Sequence, residues 1–286
     1  MSYNILEGVV PEVHGENGAG WRDRFNQRFK WREATDMGLL ARRLTRERPG
    51  AWMVLWGAGM IISLWFPSYA GAQDEVNHKL AAGEIMVSTQ DVPGKSLKSA
   101  EMVGVIDAPP ELVWQVINDV NNFKNFMPRT RISMAVAPEK IPLILQKRPT
   151  RATEVEKLLG PIPADPASYA VPGGAYTVYF YSDLDFPWPC NNRWYIIKGL
   201  KDETAAAQHR YHSSWSLVIG NLKENSGEWL LEPFGPAKTK ATYRLCTDPG
   251  GGIPKFLVKQ GTCSTMPQII EAVRKRAAAL GGPKQP

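Results

Sequence analysis

The pattern of apolar and polar positions changes along the chain, and alternation dominates its second half. Alternation with a period of two is typical of strands that are buried on one face. It predicts strands over residues 84–90, 97–107, 175–184, 193–200, 205–219, 228–234 and 239–247. The polar stretch Asn221–Gly227 predicts a hairpin turn between two of these strands. Trp215 and Trp229 lie on the two arms of that hairpin, so we expect them to share one face.

Apolar residues at helical spacing predict three helical regions. A short helix is expected over residues 74–83, and a pair of helices over residues 110–128. A long amphipathic helix is expected from about Pro254 to Leu280. An antiparallel sheet that is closed by a long C-terminal helix forms a grip, and a grip of this kind encloses a cavity. The pattern therefore indicates a site for a small apolar ligand.

Residues 131–175 are rich in proline and show little alternation. Within them we expect one helix, near Thr153–Leu159. We interpret this stretch as an insertion that lies over one mouth of the sheet.

Composition narrows the class of protein. The 286 residues are 43% apolar and 10% aromatic, which is enough for one sizeable core and additional segments. The formal net charge of +6 is mild, and no run of Lys or Arg is interleaved with aromatic residues as a nucleic-acid groove requires. We therefore expect no nucleic-acid partner, whereas a transient attraction to anionic membrane surfaces is compatible with the charge.

The N-terminal part reads as a targeting segment. An uncharged apolar run, residues 51–66, follows a basic stretch and precedes the small residues 70–72. The basic residues are Arg42, Arg43, Arg46 and Arg48. This order is typical of a cleaved export signal, and the run is shorter than the roughly 20 residues that span a bilayer. We therefore expect an exported, periplasmic protein, with a membrane anchor formed by residues 51–66 as the alternative.

The predicted organisation follows from this assignment. It comprises an N-terminal extension and basic region (1–50), the apolar region and cleavage site (51–72), one folded domain (74–281) and a short tail (282–286). Translation from Met37 would give a conventional signal, whereas a start at Met1 leaves a longer extension. Cys246 and Cys263 are the nearest pair of cysteines, but helix geometry separates them, so we expect no disulfide between them.

Signals of catalysis or of a metal site are sparse, and we predict no cofactor and no metal. His209 and His212 are three residues apart on a predicted strand, so they should point to opposite faces. Asp183 and Asp185 share a strand face and could act as paired acids. We favour the interpretation that both carboxylates are solvated at the end of the strand.

Glu232 requires a partner if it faces a cavity, because an unpaired buried carboxylate is costly. Arg193 is the candidate partner. We favour a salt bridge at the rim, or an outward Glu232, over a contact with a ligand headgroup.

Several short motifs resemble a known family. They are DAPPELVWQVIND (Asp107–Asp119), PCNNRWY (Pro189–Tyr195), GEWLLEP, KTKATY and DPGGGIP. In this order and spacing they resemble the START lipid-transfer family of the helix-grip superfamily, which also contains polyketide cyclases, over roughly residues 75–280. The resemblance implies an α+β fold in which a curved antiparallel sheet and a long C-terminal helix surround a hydrophobic tunnel. It also implies binding and transfer of a lipid, such as a sterol, hopanoid, quinone or phospholipid. We expect no catalysis, because the chain shows no convincing acid–base pair and its export would separate it from cytoplasmic substrates.

Tyr and Trp side chains supply apolar area together with a polar end, as the wall of a lipid site requires. The candidate ligand-binding residues are Tyr179, Tyr181, Arg193, Tyr195, His212, Trp215, Trp229, Glu232 and Tyr243. The C-terminal helix, or a loop near Arg210–Ser214, is expected to move when the lipid enters or leaves.

Two other functions remain open at this stage. A cyclase or aromatase in the same fold would use Asp183, Asp185, His212 or Glu232 as acid or base. A membrane-tethered adaptor would have its cavity filled by side chains.

Overall fold

One antiparallel sheet organises the part of the chain that the computed structural model describes, which is residues 69–91, 98–186, 191–250 and 255–281. Its strands in those residues are β1 (Met86–Asp91), β2 (Lys98–Ile106), β3 (Thr130–Val136), β4 (Ala175–Leu184), β5 (Arg193–Asp202), β6 (Tyr211–Gly220), β7 (Glu224–Pro233) and β8 (Thr239–Asp248). They lie in the order β1-β2-β8-β7-β6-β5-β4-β3, and each neighbouring pair is antiparallel. The central strands are therefore β5 to β8, which carry most of the predicted ligand-binding residues.

Helices lie on both faces of this sheet. Those that the structure describes are α1 (Tyr69–Ala81), α2 (Pro110–Asn118), α3 (Phe123–Phe126), α4 (Ile141–Lys147), α5 (Ala152–Leu159) and α6 (Lys255–Ala279). Pro110 occupies the first turn of α2, where its missing N–H costs nothing. Gly83 follows α1 with a φ of 88°, a conformation in which glycine meets no steric penalty. Among the helices described, none is long and apolar enough to cross a membrane.

The inner face of the sheet is the face that packs against α2 and α6. Met102, Tyr243 and Trp229 are cross-strand neighbours on this face and join its core. Helix α6 contributes a buried stripe at helical spacing, formed by Met266, Ile270, Val273 and Ala277. The predicted α+β helix-grip architecture, an antiparallel sheet closed by a long C-terminal helix, is confirmed.

The outer face is the opposite face, and α4 and α5 cover it over β3, β4 and β5. Ile144 of α4 and Val155 of α5 pack there against Tyr181, Trp194 and Ile196 in a second core. The insertion therefore lies on the outer face of the sheet and not over its mouth. The reason is that β3, which was not predicted, pairs with β4 and directs the chain across that face.

Several predicted boundaries shift in the structure. Strand β6 begins only at Tyr211, because Ala206–Gln208 form a turn of 3-10 helix. The turn between β6 and β7 is shorter than predicted, since β7 already begins at Glu224. The proposed mobile loop at Arg210–Ser214 is wrong, because residues 211–214 are paired with β7. The basic stretch and the apolar run of the predicted export signal, together with Pro189 and Cys190 of the PCNNRWY motif, fall outside the described residues. The small residues 70–72 of the predicted cleavage site lie in the first turn of α1.

Candidate functional site

Three aromatic side chains form a continuous group on the inner face. The Trp229 and Tyr243 rings, which are direct cross-strand neighbours, have centroids 4.5 Å apart. Trp215 lies 5.5 Å from the same tyrosine ring. Trp215 pairs with Gly227, and a Cβ placed on that glycine would lie 2.4 Å from the indole. The glycine thus lets the indole lie flat on the sheet, and the predicted shared face of Trp215 and Trp229 is confirmed.

Polar groups adjoin this aromatic surface. Trp215 Nε1 donates to Asn225 Oδ1 at 3.0 Å. Burial raises the pKa of the Tyr195 hydroxyl, while hydrogen bonds with Ser182 and Asn225 act in the opposite direction. Burial also raises the pKa of Tyr243, and the nearby Tyr195 adds to this shift. An apolar wall with a few convergent polar groups is the usual composition of a small-molecule site.

Exposure distinguishes the residues of the wall from those of the core. Trp229 is 6% exposed and Tyr243 is 9% exposed, so both belong to the core beneath α6. Trp215, Tyr195 and Leu217 on the same face are only half-buried. These three side chains therefore offer surface that a ligand could contact.

A buried lysine lies on the inner face beside α2. Lys201 pairs with Ser213 and is 5% exposed, and its Nζ donates to Ser213 Oγ at 3.0 Å. The ammonium group lies 5.6 Å from the centroid of the Trp114 ring. Burial lowers the pKa of Lys201 to about 7, because the charged form loses its hydration.

Trp114 is fixed over this lysine by a carboxylate. The Trp114 Nε1 donates to Glu203 Oε1 at 2.8 Å, and the Tyr176 hydroxyl donates to the same oxygen at 2.9 Å. Tyr211 stacks on Trp114 with a centroid distance of 5.1 Å. Because Glu203 is held by these donors, it orients the indole of α2 and fixes the position of α2 relative to β4.

Strand alternation separates the predicted site residues into two sets. Arg193, Tyr195, Trp215, Trp229 and Tyr243 lie on the inner face. Tyr179, Tyr181, His212 and Glu232 lie on the outer face. The structure therefore does not bring the second set together with the first, because successive side chains of a strand point to opposite faces.

Residues of the outer set have partners there. The Tyr181 hydroxyl donates to Glu156 of α5 at 3.1 Å, and His212 Nε2 lies 2.8 Å from Glu228 Oε2. Glu232 pairs with Lys240 at 2.8 Å and with Arg210 at 3.6 Å. The expected rim salt bridge of Glu232 thus forms with these two cations.

Arg193 is not the partner of Glu232. Its guanidinium donates to the backbone carbonyl groups of Pro249, Asn191 and Asn192, and the residue is 7% exposed. It therefore joins the start of β5 to the segment that follows β8.

The predicted acidic and histidine residues also separate. Asp183 is buried on the outer face and pairs with Arg131, so the expectation of a solvated strand end is wrong for this residue. Asp185 is exposed beyond the end of β4. His209 lies in the turn before β6, with a φ of 56°, and contacts Glu111 instead of extending the strand.

Among the described residues, no group of three or more His, Cys, Asp or Glu side chains could hold a metal ion. Three residues at this site were not predicted: Lys201 and Asn225 of the inner face, and Trp114 of α2. A signal for the lysine does exist, because Lys198 and Lys201 are three apart on one strand and must point to opposite faces. One of the two therefore had to face the core.

Comparison with known proteins gives one family and a distant curated relative. The family model described as polyketide cyclase / dehydrase and lipid transport matches residues 106–274. An uncharacterised protein of Pseudomonas aeruginosa is 31% identical over 107 residues, which are 34% of this chain and 53% of that protein. The match thus spans about half the length of that relative.

Similar solved structures include lipid-transfer and cyclase proteins. A STAR-related lipid transfer protein from Xanthomonas axonopodis is 20% identical with a TM-score of 0.49, covering 68% of this chain and 93% of that chain. Human STARD10 is 16% identical with a TM-score of 0.48, covering 68% and 69%. The Zhui aromatase/cyclase from Streptomyces sp. R1128 is 14% identical with a TM-score of 0.43, covering 70% and 100%.

Proposed function

The chain belongs to the polyketide cyclase/dehydrase and lipid-transport family, and on that premise we propose that it binds a lipid between the inner face of its sheet and helix α6. The observation that carries this proposal is the half-buried wall of Trp215, Tyr195 and Leu217. Each of the three side chains keeps apolar surface exposed, whereas Trp229 on the same face is buried. Their residual exposure on a face that a long helix closes is what a bound apolar molecule would cover.

Burial of apolar area would supply the affinity. A lipid that buries about 400 Å² gains roughly 10 kcal/mol at ~25 cal/mol per Å², before the entropic costs of association. The polar groups of Tyr195, Asn225 and Ser182 would then select among ligands of similar area. The lipid would be shielded from water during transfer and released when α6 shifts.

The positions of the candidate catalytic residues argue against the cyclase alternative. Three of its four candidate acids and bases, Asp183, His212 and Glu232, lie on the outer face and are engaged in ion pairs or hydrogen bonds there. The fourth, Asp185, is exposed beyond the end of β4. We therefore propose a non-enzymatic carrier.

We also propose that the carrier works outside the cytoplasm, most simply in a periplasm, and contacts membranes transiently. This part rests on the arginine-rich stretch before the apolar residues 51–66. N-terminal sequencing of the protein from soluble and membrane fractions tests it. A soluble form that starts after Ala72 supports export, whereas an uncleaved form that is confined to the membrane supports the anchor.

Binding is tested first without choosing a ligand. Native mass spectrometry of the protein, purified from its host without detergent, should show a mass increase that matches a co-purifying lipid. Protein that is consistently empty, and that also fails to bind a spin-labelled phospholipid, would contradict the proposal.

The position of the site is tested by a matched pair of variants. Trp215→Ala removes apolar wall and should weaken binding of the spin-labelled phospholipid by roughly 1–3 kcal/mol. Tyr179→Ala is the control, because Tyr179 is a half-buried aromatic residue of the outer face. Trp215 is a better probe than Trp229, whose truncation would also open a cavity in the core. Equal losses in the two variants would place the ligand elsewhere.

A further inference from the structure

Lys201 differs from the other charged residues of the sheet in its surroundings. The outer-face cations Lys240 and Arg244 each contact a carboxylate, at 2.8 Å and 2.5 Å respectively. Lys201 is more deeply buried than either, yet among the described residues no carboxylate lies within ion-pair distance of it. Its hydrogen-bond partner there is the neutral hydroxyl of Ser213. An ammonium group has three donors, so this environment leaves it incompletely satisfied.

The charged and titratable groups around Lys201 are already committed to other partners. Glu203, which directly follows β5, accepts from Trp114 of α2 and from the Tyr176 hydroxyl of β4. On α2, Glu111 contacts His209, and the Tyr211 hydroxyl of β6 also bonds to Glu111. Burial alone accounts for the lowered pKa of Lys201, with no contribution from a neighbouring charge. The described residues therefore supply no counter-ion for Lys201.

We infer that Lys201 is the counter-ion site for the acidic head of an apolar ligand, so that the carrier takes a hydrophobic molecule with one negative charge, such as a long-chain carboxylic acid. This inference rests on the proposed lipid site, because Lys201 lies in the same cross-strand row as Ser213 and Trp229 of the inner face. A carboxylate beside the ammonium would form a charge-assisted hydrogen bond in a site with little water. The indole of Trp114 would stabilise the cation from its other side.

We expect the ligand to carry a single negative charge. Lys201 is the buried lysine of the inner face, and Arg193, the buried arginine of that face, donates to backbone carbonyl groups at the far end of β5. A second negative charge on the ligand would meet no free cation among the described side chains of this row. Doubly charged headgroups should therefore bind less well than a carboxylate.

The test compares an acid with its alcohol. Dissociation constants are measured for tetradecanoic acid and tetradecanol, below their aggregation limits, with the full chain and with Lys201→Met. At about pH 6 the wild-type protein should prefer the acid by about tenfold or more, the size expected of a hydrogen bond to a charged group. Lys201→Met should remove that preference and leave the affinity for the alcohol within about threefold. Methionine has a similar volume and removes a buried charge, so the variant is expected to fold.

The dependence on pH provides a second readout on the wild-type protein. The acid is ionised at both pH values compared, so of the two groups that pair only Lys201 changes charge between them. Above pH 7 the amine must take up a proton before it can pair with the ligand, so the acid preference should fall about tenfold or more between about pH 6 and pH 8.5. The affinity for the alcohol should not follow this course.

Lys198→Met is the matched control, because Lys198 is an exposed lysine of the same strand on the outer face. It should retain the acid preference in full. Equal affinity for acid and alcohol in the wild-type protein, or an acid preference that persists in Lys201→Met, would overturn the inference while leaving the lipid site standing. If the wild-type protein binds neither the acid nor the alcohol, that result would instead contradict the lipid site itself.

Discussion

At the scale of single residues, the buried carboxylate of Asp183 gives a prediction about stability. Burial raises the pKa of Asp183 although Arg131 pairs with it, and its Oδ1 has no hydrogen-bond partner among the described residues. Arg131→Met would leave this carboxylate buried without a cation. We expect a loss of roughly 1–3 kcal/mol in the free energy of unfolding near neutral pH, measured by urea denaturation.

The sign of the pH dependence follows from the raised pKa. A carboxyl group whose pKa is higher in the folded state becomes protonated as the pH falls, and the folded protein then no longer carries a buried charge. The loss in Arg131→Met should therefore shrink between about pH 7.5 and pH 4.5 relative to the wild-type protein. Combining the change with Asp183→Asn should recover stability at neutral pH. A loss of equal size at both pH values would assign it to packing of the Arg131 stem.

At the scale of elements, the contact between α6 and β2 depends on a glycine. A Cβ on Gly104 would lie 3.0 Å from Ile270 Cγ2, which is closer than side chains normally pack. Gly104→Ala should therefore push α6 from the sheet and destabilise the fold by roughly 1–3 kcal/mol. Ile270→Ala removes the clashing atom, so the double variant should be more stable than the sum of the two single losses predicts. If the losses in the free energy of unfolding measured by urea denaturation are strictly additive, the residue at position 104 does not clash with Ile270.

The elements also show how far the sequence could predict this fold. Strand β4 was predicted with its observed bounds, because AYTVYFYSDL is rich in the aromatic and β-branched residues that favour strands. Strand β3 was missed, because TRISMAV is short and lies between prolines. The placement of α4 and α5 on the outer face follows from the pairing of β3 with β4, a long-range contact that periodicity does not contain.

The type of residue that forms the candidate site could be predicted from the sequence, but the face of the sheet on which each residue lies could not. Aromatic residues of the central strands were identified from composition and alternation, and five of the named residues lie on the inner face. Which of the two alternating sets faces α6 depends on the packing of the helices, so Tyr179 and Glu232 were grouped with residues from which the sheet separates them. Lys201 was overlooked because an isolated lysine in a strand is usually solvated.

At the scale of the whole molecule, the described cores lie on the two faces of one sheet. The inner core joins α2 and α6 to β2, β6, β7 and β8, and the outer core joins α4 and α5 to β3, β4 and β5. Strand β5 contributes to both faces, with Lys201 inward and Ile196 outward. Ligand binding on the inner face can therefore change without disturbing the outer core, which makes site variants interpretable.

The last prediction concerns what this fold requires from the N-terminal side. The two described cores contain side chains from Ile85 onward, and Leu80 of α1 is buried at 1% exposure. A fragment of residues 73–286, which begins after the predicted cleavage site, retains Leu80 and every described strand. It should unfold in one cooperative transition in urea and bind the spin-labelled phospholipid. A fragment of residues 84–286 loses Leu80 and should be less stable by at least about 2 kcal/mol, the lower range for truncating a buried leucine. If the 73–286 fragment instead fails to fold while a fragment of residues 69–286 folds, the first turn of α1 is required and cleavage after Ala72 is wrong.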